Sequence, residues 1–550
     1  MNNNKQERLI AWCDNCRIPV IGLQYCACGT RTCEIASDLR PVFPEERYLL
    51  YKLTDNDSFV SGPVWAAQGN RYYLGKEVIS LSSASFENAD ARELAEYVCG
   101  LDLTATYETF NREMTAFTAT NKQHLYELDY AAITFVQDVV HNNPHRIPVV
   151  SFSGGKDSTV VSDLVRRAMS TPSILHLFAD TTLEMPQTYE YLERFRKSNP
   201  YTPFIISKSD HDFMELCASM GPPSRVMSWC CTIFKTGPLN NVINGFAKNK
   251  QLMTFYGIRG SESISRSNYQ DIQYNQFDKV KTTVVSRSPK IAKQNVTSPI
   301  FEWLDIDIWL YLLSNAVDFN DAYRLGYSRV GCWCCPNNSK WSMFLSSIFL
   351  PEASQKWTDF LIDFAKHIGK PDPEEYVRTG KWKARQGGAG LDSKQIVIEA
   401  KPCVDEEFAR TFTLSKPINK QLYEYFKPFG KLSWDLGKKM LNEVYILDRK
   451  TNKPIIKLSG NLGSYNLRVV CINPRNYKLI SQRIDCQIRK YQSCIGCQGC
   501  ISKCPTGSIS YVDNYYAIRE ETCTGCLECV NPWRRGGCLM SKVLSVKKGV

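Results

Sequence analysis

The stretch from Ile147 to Met169 constrains the fold more than any other part of the chain. An apolar, β-branched run (Ile147 to Val150) passes into SFSGGKDS (Ser151 to Ser158) and then straight into a helix-like segment, Ser158 to Met169. Gly154 and Gly155 let the backbone bend and approach an anion. Their amides and those of Lys156 and Asp157 point at it, and the helix start adds its dipole. The arrangement reads as a phosphate cradle for a nucleotide. A Walker A loop needs glycine where Val150 stands, five residues before Gly155-Lys156, which excludes the kinase and GTPase pattern. A Gly-rich turn without a ligand is the plain alternative, but strand, loop and helix signals all agree.

At 550 residues the chain is too long for one core, and three to five domains are expected. No run approaches eighteen apolar residues, and the opening MNNNKQERLIAWCDNC has no apolar leader core. The expectation is a cytoplasmic protein without a membrane span. In that reducing setting 23 clustered cysteines point to metal rather than disulfides. The net charge of +11 permits an anionic partner such as nucleic acid.

Cys13-x2-Cys16 and Cys26-x-Cys28 in residues 1–34 look like a zinc ribbon, with Cys33 able to replace one ligand. Residues 35–105 alternate short β-type runs (Tyr48 to Leu53, Arg71 to Leu74, Val78 to Leu81) with turns and read as a small β-rich domain. Residues 106–146 read as linking helices, with helical spacing of apolar residues from Lys122 to His141. Residues 147–340 alternate strand and helix signals, the pattern of an α/β domain with a doubly wound parallel sheet. A helical extension (341–400), a small α/β domain (401–483) and an α+β ferredoxin-like module (484–550) complete the expected order. Two basic stretches, Lys279 to Lys293 and Arg378 to Arg385 around Trp382, are candidates for nucleic-acid contact, although charge runs are usually solvated faces.

In the last module Cys494-x2-Cys497-x2-Cys500-x3-Cys504-Pro505 has the bacterial ferredoxin spacing, in which three thiolates hold one [4Fe–4S] cluster and the fourth reaches a second. Cys523-x2-Cys526-x2-Cys529 repeats the triplet, and Cys538 follows after a longer gap. By pseudo-symmetry Cys538 joins Cys494, Cys497 and Cys500, and Cys504 joins Cys523, Cys526 and Cys529. Zinc is the bland alternative.

SGGKDS resembles the PP-loop, which grips the pyrophosphate half of ATP while the α-phosphate is attacked. The series SILHLFADTTLEMPQTYEYLERF, YTPFIISKSDHDF, SWCCTIFKTGPLN, FYGIRGSESISRS, PIFEWLDIDIWLYL and NDAYRLGYSRVGCWCCP resembles the phosphoadenosine phosphosulfate (PAPS) reductase family, which includes Dnd-type DNA phosphorothioation proteins. The resemblance implies a nucleotide site of Ser151, Ser153, Gly154, Gly155, Lys156, Asp157, Ser158, Asp180, Thr181, Lys235, Arg259, Glu262, Ser263 and Arg266. Of these, Lys156, Asp157 and Ser158 are the catalytic candidates. It also implies that Cys230, Cys231, Cys332 and Cys335 hold a third [4Fe–4S] cluster and that Cys334 is a spare thiol able to carry sulfur. A strand-ending turn for Asp180, a solvated Lys235, and surface pairing of Arg259 are the structural alternatives. Trp303, Asp305, Asp307 and Trp309 read as the capped start of a packed helix.

The reductase tail, Glu-Cys-Gly-x-His, is missing, since no histidine follows His367. The function expected from the resemblance is therefore ATP-dependent sulfur transfer, with Mg2+, AMP and pyrophosphate, a cysteine desulfurase as donor and nucleic acid, DNA first, as acceptor. A ferredoxin-fused PAPS or adenosine phosphosulfate reductase, tRNA thiolation, and an electron-transfer protein with a vestigial nucleotide site are the alternatives.

Overall fold

A computed structural model describes residues 10–225, 227–247, 251–262, 294–384, 398–438, 440, 442–494, 496, 499–501, 504–513, 515–530 and 546–548. The chain divides into two compact units. The first is Met1–Ser207, Asn249–Pro289 and Gln294–Thr358, and the second is Lys208–Lys248, Lys290–Lys293 and Asp359–Val550.

In the first unit, strands Ile10–Cys13, Ile18–Ile21 and Cys33–Ala36 form an antiparallel three-stranded sheet with Ile10–Cys13 in the middle. A four-stranded meander follows, built of Arg40–Pro41, Trp65–Ala67, Arg71–Leu74 and Glu77–Ser80. Tyr48 to Leu53, expected as a strand, instead lies in the helix Pro44–Thr54. Pro44 in its first turn and the acids Glu45 and Glu46 beside the helix N-terminus set a helical start that the apolar run alone did not reveal. The Lys122–His141 helix is built as its periodicity predicts, with Leu128, Ala132, Val136 and Val139 buried along one stripe.

Five strands form the central sheet in the order Phe204–Lys208, Leu175–Asp180, Arg146–Ser151, Gln251–Tyr256, Gln294–Thr297. The pairings of Arg146–Ser151 with both neighbours and of Gln251–Tyr256 with Gln294–Thr297 are parallel. In chain order this is 3-2-1-4-5, so the winding reverses between Arg146–Ser151 and Gln251–Tyr256. The crevice beyond the carboxyl ends of those two strands is where such sheets bind ligands. Buried Val149, Val150, Leu252 and Phe255 match the apolar strands of a sheet covered on both faces. Val160 and Leu164 of the helix Lys156–Ala168 share one core with Phe43, Trp65, Phe110 and Trp309, while Leu49, Leu50, Phe59 and Tyr72 pack in a second core with Trp341 and Leu345.

The second unit contains a seven-stranded sheet in the order Lys431–Ser433, Glu443–Leu447, Pro454–Ser459, Asn466–Cys471, Ala409–Thr413, Ile398–Pro402, Val546–Lys548, antiparallel except for the last pair. Residues 401–483, expected as α/β, are therefore built chiefly of strands. The helix Tyr477–Ser493 places Ile484, Ile488 and Tyr491 in the same core as Phe412, Ile446, Leu458 and the buried Cys504 and Cys529.

Candidate nucleotide site and thiol centres

Gly154 adopts a positive φ of 71°, and a side chain there would meet Thr188 at 2.9 Å, so the loop turns where only glycine fits without strain. Gly155 is the N-cap of the helix Lys156–Ala168. Ser153 and Ser158 close the loop on itself: the Ser153 amide donates to Ser158 Oγ at 3.1 Å, and Ser158 Oγ donates to the Gly155 carbonyl at 2.9 Å. Ser151 ends the preceding strand. Across the reversal point, Gly257 follows the Gln251–Tyr256 strand so closely that a methyl group there would lie 2.7 Å from the backbone of Asp157 and Ser158. The Asn320 side-chain amide donates to the Gly154 carbonyl at 3.1 Å, and the Lys156 amide donates to the Tyr323 hydroxyl at 2.9 Å.

Behind the loop stands a buried group of alternating charges. Arg259 spans two carboxylates, with Nε 2.6 Å from Asp157 Oδ1 and Nη2 2.7 Å from Asp305 Oδ1. Lys156 Nζ lies 3.2 Å from Asp305 Oδ1 and 3.5 Å from Asp157 Oδ2, donates to the Ser328 carbonyl at 3.2 Å, and sits over the Tyr323 ring. Lys156 and Arg259 are 2% and 4% exposed, so their charges persist only because these acids answer them. Burial works against the Lys156 ammonium, but Asp157 and Asp305 overcome it and hold its pKa above the usual lysine value. Burial likewise opposes the Asp305 carboxylate, and Lys156 and Arg259 overcome it and hold Asp305 below the usual carboxylate range. Asp38, on the segment after the first sheet, accepts the Asp305 and Ile306 amides at the start of the Asp305–Ser314 helix.

Asp180 ends its strand, and its Oδ1 accepts from the Thr182 amide and the Tyr189 hydroxyl, both at 2.8 Å. Thr181 is buried and joins this edge to the CxxC loop: its hydroxyl donates to Glu184 Oε1 at 2.8 Å and lies 3.3 Å from Cys332 Sγ. The Trp333 amide donates to the Leu183 carbonyl, Cys335 N–H closes the turn on the Cys332 carbonyl, and Cys334 is 6% exposed.

One comparison covers the cradle, the sheet and the buried charge group. Residues 147–338 match the phosphoadenosine phosphosulfate reductase domain. An uncharacterised protein of Methanocaldococcus jannaschii is 25% identical over 332 residues, 60% of this chain and 73% of that one. A second from the same organism is 28% identical over 279 residues, 50% of this chain and 54% of that one, so the chain spans about half of that relative. The adenosine 5'-phosphosulfate reductase 1 of Bacillus subtilis is 28% identical over 189 residues, 34% of this chain and 72% of that one.

Within this PAPS reductase domain the structure rearranges some of the expected roles. Arg259 is turned into the buried charge group, not toward surface pairing with Glu262, which ends the short turn Gly260–Glu262. Ser263 and Arg266 lie outside the described residues, as does the basic stretch Lys279 to Lys293. Lys235 is exposed on the turn Thr232–Thr236 of the second unit, and Cys230 and Cys231 belong to the adjoining turn Trp229–Cys231 of that unit. Asp305, Asp38 and Tyr323 were missed as site residues. An acid at a helix start signals a cap, and nothing near it in sequence reveals the lysine it meets. In the stretch Arg378 to Arg385, Arg378 ends the helix Pro373–Arg378, is exposed and pairs with Glu375, Trp382 (1% exposed) and Lys383 (7%) are buried on the turn Lys381–Ala384, and Arg385 lies outside the described residues.

Two thiol centres lie outside the PAPS reductase domain. Cys13, Cys16, Cys26 and Cys28 hold their sulfurs within 4.8 Å of one another, with Cys13–Cys28 at 3.6 Å and Cys16–Cys26 at 3.8 Å. Four sulfurs about 2.3 Å from a tetrahedral zinc ion stand roughly 3.8 Å apart, so the set fits one ion. Cys33 faces the Trp12 carbonyl and is not in the group. The C-terminal set is different. Cys504, Cys523, Cys526 and Cys529 line one hollow together with Ile509 and Ile518. Among the described residues no three of these thiols gather within 4.8 Å, unlike the N-terminal four. The Ser508 amide already donates to Cys504 Sγ at 3.2 Å. Cys494 and Cys500 lie in the same core, and Cys497 and Cys538 lie outside the described residues.

Proposed function

We propose that the chain binds ATP in the Ser151–Ser158 cradle and uses it, with iron-sulfur centres, to insert sulfur into an acceptor, nucleic acid being the leading class. The observation that carries this reading is the buried Lys156–Asp157–Arg259–Asp305 group at the reversal point of the sheet. It balances its own charges beside the start of the Lys156–Ala168 helix, the end of a helix that favours an anion such as phosphate. An acceptor oxygen attacks the α-phosphorus, the bond to the pyrophosphate oxygen breaks, and an adenylated acceptor forms. A persulfide sulfur from a cysteine desulfurase then displaces AMP, and two electrons, delivered one at a time, break the remaining S–S bond to leave sulfur on the acceptor and a thiolate on the donor. Mg2+ accompanies the nucleotide.

The hollow lined by Cys504, Cys523, Cys526 and Cys529 supports one [4Fe–4S] cluster, and the matching run from Cys494 a second. Such clusters supply single electrons, which the persulfide sulfur requires. The third set, Cys230, Cys231, Cys332 and Cys335, rests on the family resemblance, as does sulfur carriage by Cys334, whose burial requires the CxxC loop to open first. Zinc at Cys13, Cys16, Cys26 and Cys28 is a structural role.

Reduction of a phosphosulfate is the second reading, favoured by the named Bacillus reductase over 34% of the chain. Anaerobically purified protein separates the two. Pyrophosphate release from ATP in the presence of DNA and a desulfurase supports sulfur insertion. Sulfite release from adenosine phosphosulfate or PAPS with dithionite, and no pyrophosphate from ATP, overturns it in favour of reduction.

A further inference from the structure

Arg40, Glu46 and Tyr72 come from three elements of the first unit and meet out of water. Arg40 lies on the strand Arg40–Pro41, Glu46 in the helix Pro44–Thr54 and Tyr72 on the strand Arg71–Leu74. Arg40 grips both Glu46 oxygens, Nη1 to Oε2 at 2.7 Å and Nη2 to Oε1 at 2.6 Å, and the Tyr72 hydroxyl donates to Oε1 at 3.2 Å. Arg40 is 8% exposed, Glu46 0% and Tyr72 1%. Taking two charges out of water costs about as much as their attraction returns, so a buried pair of this kind is a weak source of stability. Its strength is direction, because the planar guanidinium fork fits a carboxylate in one orientation.

The pair faces Gly326. This glycine has a φ of 98°, and a side chain there would lie 3.1 Å from Cγ and Cδ of Glu46. Its carbonyl accepts from Trp341 Nε1 at 3.4 Å and from Arg40 Nη2 at 3.5 Å. The backbone is laid directly on the buried carboxylate, in a conformation that glycine alone adopts without strain. The Gly326 amide donates to the Tyr323 carbonyl at 3.3 Å and the Tyr327 amide to the Ala322 carbonyl at 3.4 Å, so the seat at Gly326 fixes the turn before it.

That turn meets the nucleotide cradle. Asn320 donates to the Gly154 carbonyl at 3.1 Å, and the Tyr323 hydroxyl, which accepts the Lys156 amide at 2.9 Å, stands 3.1 Å from where a Gly155 side chain would begin. Just past Gly326, the Ser328 carbonyl accepts from Lys156 Nζ at 3.2 Å. Lys156 is therefore held at its amide and at its ammonium by one stretch of chain, and that stretch is seated on Glu46. Arg40, Glu46 and Tyr72 all precede the matched region 147–338, so part of the framing of the cradle comes from outside it.

We propose that the buried Arg40–Glu46 pair, steadied by Tyr72, is a positioning element of the nucleotide site: it seats Gly326 and so sets where Asn320, Tyr323 and Ser328 hold the cradle and Lys156. The proposal rests on ATP binding in that cradle.

The test uses the full chain, purified anaerobically, with ATP affinity by calorimetry and melting temperature read side by side. Wild type that does not bind ATP overturns the nucleotide reading itself, and the proposal with it. Given binding by wild type, Arg40→Met combined with Glu46→Leu removes both charges and is expected to melt close to wild type while binding ATP about tenfold more weakly. Unchanged affinity in this double variant overturns the proposal whatever the melting temperature, because a merely structural pair would alter stability alone. Tyr323→Phe checks the route. Alone it is expected to weaken ATP binding, and added to the double variant it is expected to cost little more, since both act through one turn. Losses that simply multiply, or a Tyr323→Phe chain that binds ATP like wild type, overturn the proposal. If the double variant does not fold, Tyr72→Phe decides, since it only frees one Glu46 oxygen. Affinity lowered severalfold at an unchanged melting temperature then upholds the proposal, and unchanged affinity overturns it.

Discussion

Asp38 accepts a hydrogen bond from the backbone amide of Asp305 at 2.9 Å while the two carboxyl groups repel each other. Burial and then the Asp305 charge push Asp38 up to about 7. Its unfolded value is near 3.9, so between about pH 4 and pH 7 the native chain holds a proton that the unfolded chain releases. The stability this gives is present at low pH and lost as pH rises through 7. The advantage of wild type over Asp38→Asn in urea unfolding should therefore shrink from pH 5 to pH 8. An equal difference at both pH values would count against this.

Asp305→Ala should act on both stability and nucleotide chemistry. Removing it takes a partner from Lys156 and from Arg259, both buried, and leaving a buried charge short of its partner costs on the order of 3 kcal/mol. Pyrophosphate release should fall with it, since Lys156 then tilts toward Asp157 alone. Asp305→Asn keeps the shape and should recover more of the stability than of the activity.

Gly257→Ala places a methyl group 2.7 Å from the Asp157 and Ser158 backbone, where nothing flexible can give way. The cradle must shift, at a cost of roughly 1–3 kcal/mol. ATP affinity, measured by calorimetry, should drop about tenfold or more. Gly260→Ala meets the Phe301 side chain at 3.2 Å and should leave ATP affinity nearly unchanged.

The N-terminal thiols should hold about one zinc ion per chain, measured by elemental analysis. Cys26→Ser should lose it, and Cys33→Ser should keep it. A strong chelator should lower the melting temperature of wild type and leave Cys26→Ser unaffected.

Iron and labile sulfide should each reach about eight per chain if only the C-terminal runs bind clusters, and about twelve if the Cys332–Cys335 loop shares a third. Cys332→Ala separates the two counts directly, because it can remove only the third.

Local chemistry was legible in the sequence and long-range partnership was not. The cradle could be read because its strand, glycines and helix start are contiguous, and the Lys122–His141 helix because its apolar stripe repeats. Tyr48 to Leu53 misled because apolar residues in a short run fit a strand or a buried helix equally well. The burial of Trp382 was not legible because a basic stretch gives no sign of which side its tryptophan faces. Asp305 read correctly as a helix start, yet its contacts with Lys156 and Arg259 depend on the sheet bringing distant loops to one edge.

The segment Lys208–Lys248 leaves the central sheet after its third strand, belongs to the second unit, and returns as the fourth strand. Within that second unit His211 donates to the carbonyl of Gly496, between Cys494 and Cys500. The chain of the PAPS reductase domain is thus threaded through the unit that carries the C-terminal thiol runs rather than joined to it by a linker. Residues 147–338 cut out on their own would strip the Lys208–Lys248 crossover of its contacts within the second unit, His211 with Gly496 and Arg225 with Lys383, so a domain boundary drawn at the ends of the matched region would cut through one compact unit.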